Sequence, residues 1–256
     1  MLSMDSIYLV VALGAMLAGF VQGLSGFAFG LTAMSLWAWT LEPRLAAALV
    51  VFGSLLGQIV AAVTVRRGFD WRCLLPFVLG GLAGIPLGVL LLPRLDMDWF
   101  KVILGTLLVL WCPAMLIMAG RPRRPFTFGG RFADGLAGMA GGVMSGLGGF
   151  AGSLPTLWCT LRGFDKDTQR TVIQNFNLSM LAVTMAIYLA AGLITRDMLP
   201  LFAIVAPAML LPALFGARLY TGISEVAFRK IVLGLLTASG MMMLASALPR
   251  LLGWAA

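Results

Sequence analysis

The stretch Gly19-Phe20-Val21-Gln22-Gly23-Leu24-Ser25-Gly26-Phe27-Ala28 recurs 123 positions later as Gly142-Val143-Met144-Ser145-Gly146-Leu147-Gly148-Gly149-Phe150-Ala151, with six of the ten positions identical. Each copy interrupts an otherwise apolar run. A repeated break inside hydrophobic segments is the pattern of a transporter binding site, where discontinuous helices meet in the middle of a bilayer. Glycine also lets helices pack closely in lipid, and both readings apply to individual glycines. Packing alone, however, does not call for the same four-residue break in both halves.

Composition sets the class around these breaks. Of 256 residues, 61% are hydrophobic and 11% charged, against roughly one-quarter charged in a soluble domain. The long apolar runs are joined by short loops, which points to an all-α polytopic integral membrane protein. The net charge of +8 comes from basic residues scattered over many loops, so nucleic acid is not the expected partner. Cys73, Cys112 and Cys159 lack metal-ligand spacing and the chain has no histidine. No metal or cofactor is expected, and the cysteines read as small hydrophobes. The N-terminus has no Lys or Arg before its first apolar run, so it lacks a secretory n-region and is expected to remain in place.

In chain order, the first unit reads as an apolar segment over 6–22, the break at 23–26, a second segment over 27–41, then helices near 45–65, 73–92 and 99–119. Pro43 suits the first turn of the helix that follows it. The residues 120–131, GRPRRPFTFGGR, alone have linker composition. They divide a first membrane repeat, 1–120, from a second, 132–256, with a basic cytoplasmic linker over 121–131. The second unit repeats the plan: 132–145, the break at 146–149, 150–161, then helices near 168–191, 198–220 and 227–248. The segments 132–145 and 150–161 are 14 and 12 residues long, short of the approximately 20 needed to span. Hairpins dipping to mid-membrane are therefore favoured in this half, whereas 5–22 is nearly long enough to cross.

Orientation follows from the bias of Lys and Arg toward cytoplasmic loops. If each broken pair returns the chain to its starting side, the eighteen basic residues divide thirteen to five between the two sets of loops; if each pair is one crossing, they divide nine and nine. The biased division is preferred. It puts the basic loops in the cytoplasm, both termini on the periplasmic side, and the two repeats in opposite orientations. The fold expected is thus two inverted-topology repeats, each a broken helix pair or helical hairpin followed by three transmembrane helices.

A broken helix leaves backbone groups unpaired, which is tolerated only inside protein or beside a wet cavity. The helices restarting after the breaks would aim N-terminal N–H groups and partial positive charge at the interface between repeats, a setting for a small anion. The candidate binding residues are Gln22, Gly23, Ser25, Gly26, Ser145, Gly146, Gly148, Gly149 and Ser153. Gln174, Asn175 and Asn177 join them from the next helix, where amides serve equally as interhelical glue. Ser54 and Gln58 occupy the equivalent helix of the first repeat. All ten acids fall at loops or segment ends, so no mid-membrane proton relay is evident. Asp134 comes nearest. Without histidine or a buried acid pair, an enzyme is not expected.

The two glycine motifs, the basic central linker and the turn Gly68-Phe69-Asp70 together resemble the sulfite exporter TauE/SafE family, also described as a sulfonate-uptake permease family. That resemblance extends over essentially the whole chain. It implies a polytopic bacterial inner-membrane protein moving sulfite, sulfonates or related organic anions. The reading of the residues leads to a secondary transporter that exposes a mid-membrane anion site at the glycine breaks alternately to either side by moving one repeat against the other. An anion channel of the same architecture stays open as an alternative.

Overall fold

The structure is a computed structural model, and it describes residues 4–25, 28–64, 68–119, 130–219 and 225–252. Ten α-helices are present among the described residues. The first half holds α1 (Met4–Ser25), α2 (Phe29–Trp37), α3 (Pro43–Thr64), α4 (Trp71–Leu91) and α5 (Met97–Ala119). The second half repeats the order with α6 (Gly130–Gly148), α7 (Ser153–Leu161), α8 (Lys166–Ala190), α9 (Leu199–Leu219) and α10 (Glu225–Leu251). Most of the linker lies outside the described residues; its last two positions, Gly130 and Arg131, open α6.

Helix starts follow local chemistry. α3 begins at Pro43, as expected of a proline in a first turn. The Asp70 carboxylate accepts from the Arg72 and Cys73 N–H groups and caps α4. Asp96 and Asp165 accept from Trp99 and Thr168 N–H at 2.8 and 2.9 Å ahead of α5 and α8. Among the described residues, six helices are long and apolar enough to cross a membrane. Their outward faces remain apolar: Val63, Leu79, Leu110 and Leu211 are largely exposed. An apolar exterior around an apolar interior makes lipid the solvent of this protein.

The breaks fall later than the sequence suggests. Helix α1 runs through Gly23 to Ser25, and α6 runs through Gly146 to Gly148, giving 22 and 19 residues where shorter segments were expected. Helical bonding persists to the end of α6, where the Gly149 N–H donates to the Ser145 carbonyl at 2.8 Å. The chain turns at Gly149, whose φ of +75° suits glycine alone. The half-helices α2 and α7 that follow have nine residues each.

Glycines before the turn are occupied in packing. Along α4 and α6 they alternate so that a Cβ on Gly80, Gly84 or Gly88 would collide with α6 backbone, and one on Gly138, Gly142 or Gly146 with α4 backbone. Such close approach lets Cα–H groups meet carbonyls across the seam.

The helices pair across the halves. α6 lies on α4, α1 lies on α9, and α5 lies along α10. α3 and α8 meet in the centre. Each half thus lends its first helix to the other. The half-helices are held by long helices of the opposite half: Ser239 on α10 donates to the Ser35 carbonyl of α2, and Trp111 Nε1 on α5 donates to the Ser153 carbonyl of α7.

Candidate functional site

Both breaks converge on one small cavity. A Cβ on Gly30, in the first turn of α2, would meet the Gly149 carbonyl oxygen at 2.9 Å, so the start of one half-helix rests on the turn before the other. Beside this contact lies a small, partly open pocket of about 20 Å³. Gln22 of α1, Gly30 and Leu31 of α2, and Ser54 and Gln58 of α3 line it from the first half. Gly149, Phe150, Gly152 and Ser153 around the second break, with Asn177 and Leu181 of α8, line it from the other.

The repeat of 123 positions carries through to this lining: it maps Gly30 onto Ser153, Ser54 onto Asn177, and Gln58 onto Leu181. The cavity therefore sits where equivalent positions of the two halves face each other.

Polar chemistry there is unbalanced. Gln22 Oε1 accepts from the Phe29 N–H at 3.0 Å, so this amide caps α2 from the end of α1. Its other end, Nε2, has no hydrogen-bond partner, and neither has Ser54 Oγ nor Asn177 Oδ1. All three residues are buried to at least nine-tenths. Leaving such a group unpaired costs about 1–3 kcal/mol, which an amide acting as interhelical glue would avoid by bonding to a neighbour. A half-turn of the Asn177 amide exchanges its oxygen for the Nδ2 donor. Gly57 and Gly152 make room for the amides, since a Cβ at either would strike Gln22 or Asn177.

Of the residues singled out from sequence, Gln22, Gly149, Ser153 and Asn177 line the cavity. Ser153 Oγ donates to the Phe150 carbonyl at 2.8 Å, fixing the turn. The others lie elsewhere. Ser145 is fully buried and shares a 2.8 Å hydrogen bond with Thr184 of α8, and the Gly146 carbonyl accepts from Tyr188 OH at 2.7 Å. Gly148 packs on the Phe150 ring. Gly23 is within α1. Asn175 faces away and donates to the carbonyls of Gly68 and Thr171, and Gln174 is buried outside the lining. Gly26 and the Ser25 side chain lie outside the described residues. Gly30, Leu31, Ser54, Gln58, Phe150, Gly152 and Leu181 were not among the residues singled out as binding candidates. The 123-residue register is the signal for four of them: Gly30 and Ser54 pair with Ser153 and Asn177, and Gln58 and Leu181 pair with each other.

Asp134 is buried but committed. Its carboxylate accepts from Trp158 Nε1 at 2.8 Å and from Arg162 Nη1 at 2.6 Å, so α6 and α7 are clamped by an ion pair at the end away from the cavity.

Apolar spanning helices packed around two interrupted ones define a multi-pass membrane protein. The chain belongs to the sulfite exporter TauE/SafE family, whose family model matches residues 11–243. Membership makes it a membrane transporter of sulfite- or sulfonate-type anions. Neither the curated proteins nor the solved structures contain a match to it.

Proposed function

We propose that this chain is a secondary transporter that holds one small sulfur-containing or organic oxyanion in the cavity between the two helix breaks and exposes it alternately to either side of the bacterial inner membrane. The observation that carries this reading is the convergence of three unpartnered, buried polar side chains, Gln22, Ser54 and Asn177, on the first turns of α2 and α7. Helix N-termini offer N–H donors and partial positive charge to an oxyanion. At about 20 Å³ the pocket is smaller than an oxyanion, so binding requires this conformation to widen around the two breaks.

The exchanged pairing bears on the motion. Moving one sequence repeat against the other would tear both the α4–α6 and α1–α9 seams. The economical moving bodies are instead these two cross-paired units, with the half-helices at their junction. Inverted repeats with 1–120 and 132–256 as the units, and with periplasmic termini, remain the arrangement that the charge division supports. A cysteine at Arg123 should then be labelled from the cytoplasmic side alone.

The site is tested by anion flux into proteoliposomes. Gly149→Val, which strains a positive φ and crowds Val50 and Val51, should abolish sulfite and sulfonate flux, and Asn177→Ala should reduce it. Unchanged flux in both folded variants would remove the site from this position.

A further inference from the structure

Resting on the anion site proposed above, we propose that the cavity selects by charge number: it takes singly charged oxyanions, hydrogen sulfite and monosulfonates, and rejects the doubly charged sulfite and sulfate ions. No residue lining the cavity is charged. Arg162 sits at the far end of α7 in its pair with Asp134, and Lys101 lies against the Trp39 ring at 4.9 Å. An anion in the cavity therefore meets neutral donors and two helix starts.

Those two starts set the charge that the site balances. Each helix N-terminus acts as roughly +0.5 of an elementary charge, so α2 and α7 together supply at most about one, offset in part by the C-terminal ends of α1 and α6 at the same breaks. No more than a single negative charge is thereby matched. A second is not, and removing a dianion from water costs about four times as much as removing a monoanion, because the Born penalty grows as the square of the charge. Attraction to the same fixed dipoles only doubles. The unpartnered Gln22 Nε2 and Ser54 Oγ, with the Asn177 amide turned to present Nδ2 in place of its unpartnered Oδ1, add hydrogen bonds but no net charge.

No lining side chain from α1, α2, α3, α7 or α8 titrates near neutral pH. Any pH dependence of binding in that range is therefore the ligand's own. Sulfite is informative because its second proton leaves near neutrality, whereas methanesulfonate stays singly and sulfate doubly charged.

Thermal stabilisation of the purified full chain would be titrated with each of the three ions at about pH 6 and about pH 8, at fixed ionic strength. Methanesulfonate should stabilise equally at both, and sulfate at neither. The apparent affinity for total sulfite should fall on the order of tenfold at the higher pH, following the singly protonated fraction. Leu181→Lys, which places a cation at the register position of Gln58, should admit sulfate.

Sulfate stabilising as strongly as methanesulfonate, or sulfite binding more tightly as pH rises, would overturn charge selection. If Asn177→Ala weakened that binding, the site itself would stand. Absence of any anion effect, or anion effects indifferent to both Asn177→Ala and Ser54→Ala, would remove the site reading and the selection with it.

Discussion

The two helix-plus-half-helix units, α1–α2 and α6–α7, repeat one sequence plan and use it differently. In the second unit the polar side chains are spent on anchoring. Asp134 binds Trp158 and Arg162, Ser145 binds Thr184, and α6 is fused to α4 along a glycine seam. In the first unit the register positions of Asp134 and Ser145 are Val11 and Gln22. Its tie between helices is the Trp37 indole, which donates to the Val10 carbonyl at 3.2 Å. Gln22, a longer side chain than serine, reaches across to cap α2 and keeps an unpaired donor at the cavity. A repeated backbone thus yields one unit whose polar groups clamp its helices and one that keeps a free donor at the cavity.

The largest effect should come from breaking the seam of the second unit, where α4 and α6 each present three glycines to the other's backbone while α1 presents Gly19 to α9. Gly142→Val drives side-chain carbon into the Gly81 backbone, and neither helix can yield without losing its neighbours. Overpacking costs about 1–3 kcal/mol and more where backbone is struck. Loss of monodisperse protein in size-exclusion chromatography is expected, and normal behaviour would mean that the seam is looser than its geometry.

Next comes the division between reading and clamping. Asn177→Ala and Gln22→Ala should lower anion flux about 10- to 100-fold, the loss of a hydrogen bond to a charged group worth about 1.5–3 kcal/mol; Tm should change little for Asn177→Ala, and Gln22→Ala should also lose about 1 kcal/mol with its cap on the Phe29 N–H. Ser145→Ala should do the reverse, losing about 1 kcal/mol of stability with the Thr184 bond and leaving flux near normal. Equal effects on flux at Ser145 and Gln22 would erase the distinction between units.

The clamp itself should be worth less than a fully buried pair, because the Arg162 side chain is 25% exposed. Asp134→Ala is expected to cost about 1–3 kcal/mol in thermal unfolding, discounted for that exposure. Trp37→Phe in the first unit should cost about 1 kcal/mol. A larger loss at Trp37 would reverse the assignment of the anchored unit.

The smallest effect lies outside both units, at the start of α4. The Cys73 side chain, with the Cys73 and Arg72 N–H groups, holds the exposed Asp70 carboxyl below its ordinary pKa. The cap's contribution is then complete above the usual carboxylate range and is lost as pH falls through the lowered pKa. The Tm difference between wild type and Asp70→Ala should therefore be small at neutral pH and vanish on acidification. A difference that persists in acid would assign it to something other than the carboxylate.

Much of this was legible in the sequence. Composition gave a membrane protein, and the apolar runs gave α3, α4, α5, α8 and α9 to within about two residues at most ends. Gln22, Gly149, Ser153 and Asn177 were marked by the repeat and by polarity in an apolar setting. The break positions were misjudged by about three residues. Glycine is a poor helix former in isolation, but Gly142 and Gly146 stay helical because α4 fills the space their missing side chains leave. Asn175 was misjudged as well. It neighbours Gln174 and Asn177 in sequence, yet adjacent residues on a helix point in different directions, and Asn175 is turned to the Gly68 carbonyl.

By itself the sequence determined the solvent, the helices and the existence of two matched interruptions, because these depend on local composition and on periods along the chain. Only the tertiary structure decided which interrupted helices meet, that α1 and α6 cross into opposite halves, and that Ser54 and Asn177 face one cavity. Those relations join residues more than a hundred positions apart. The choice among them rests on backbone approach and on which buried polar groups find partners, and neither is a property of any single segment.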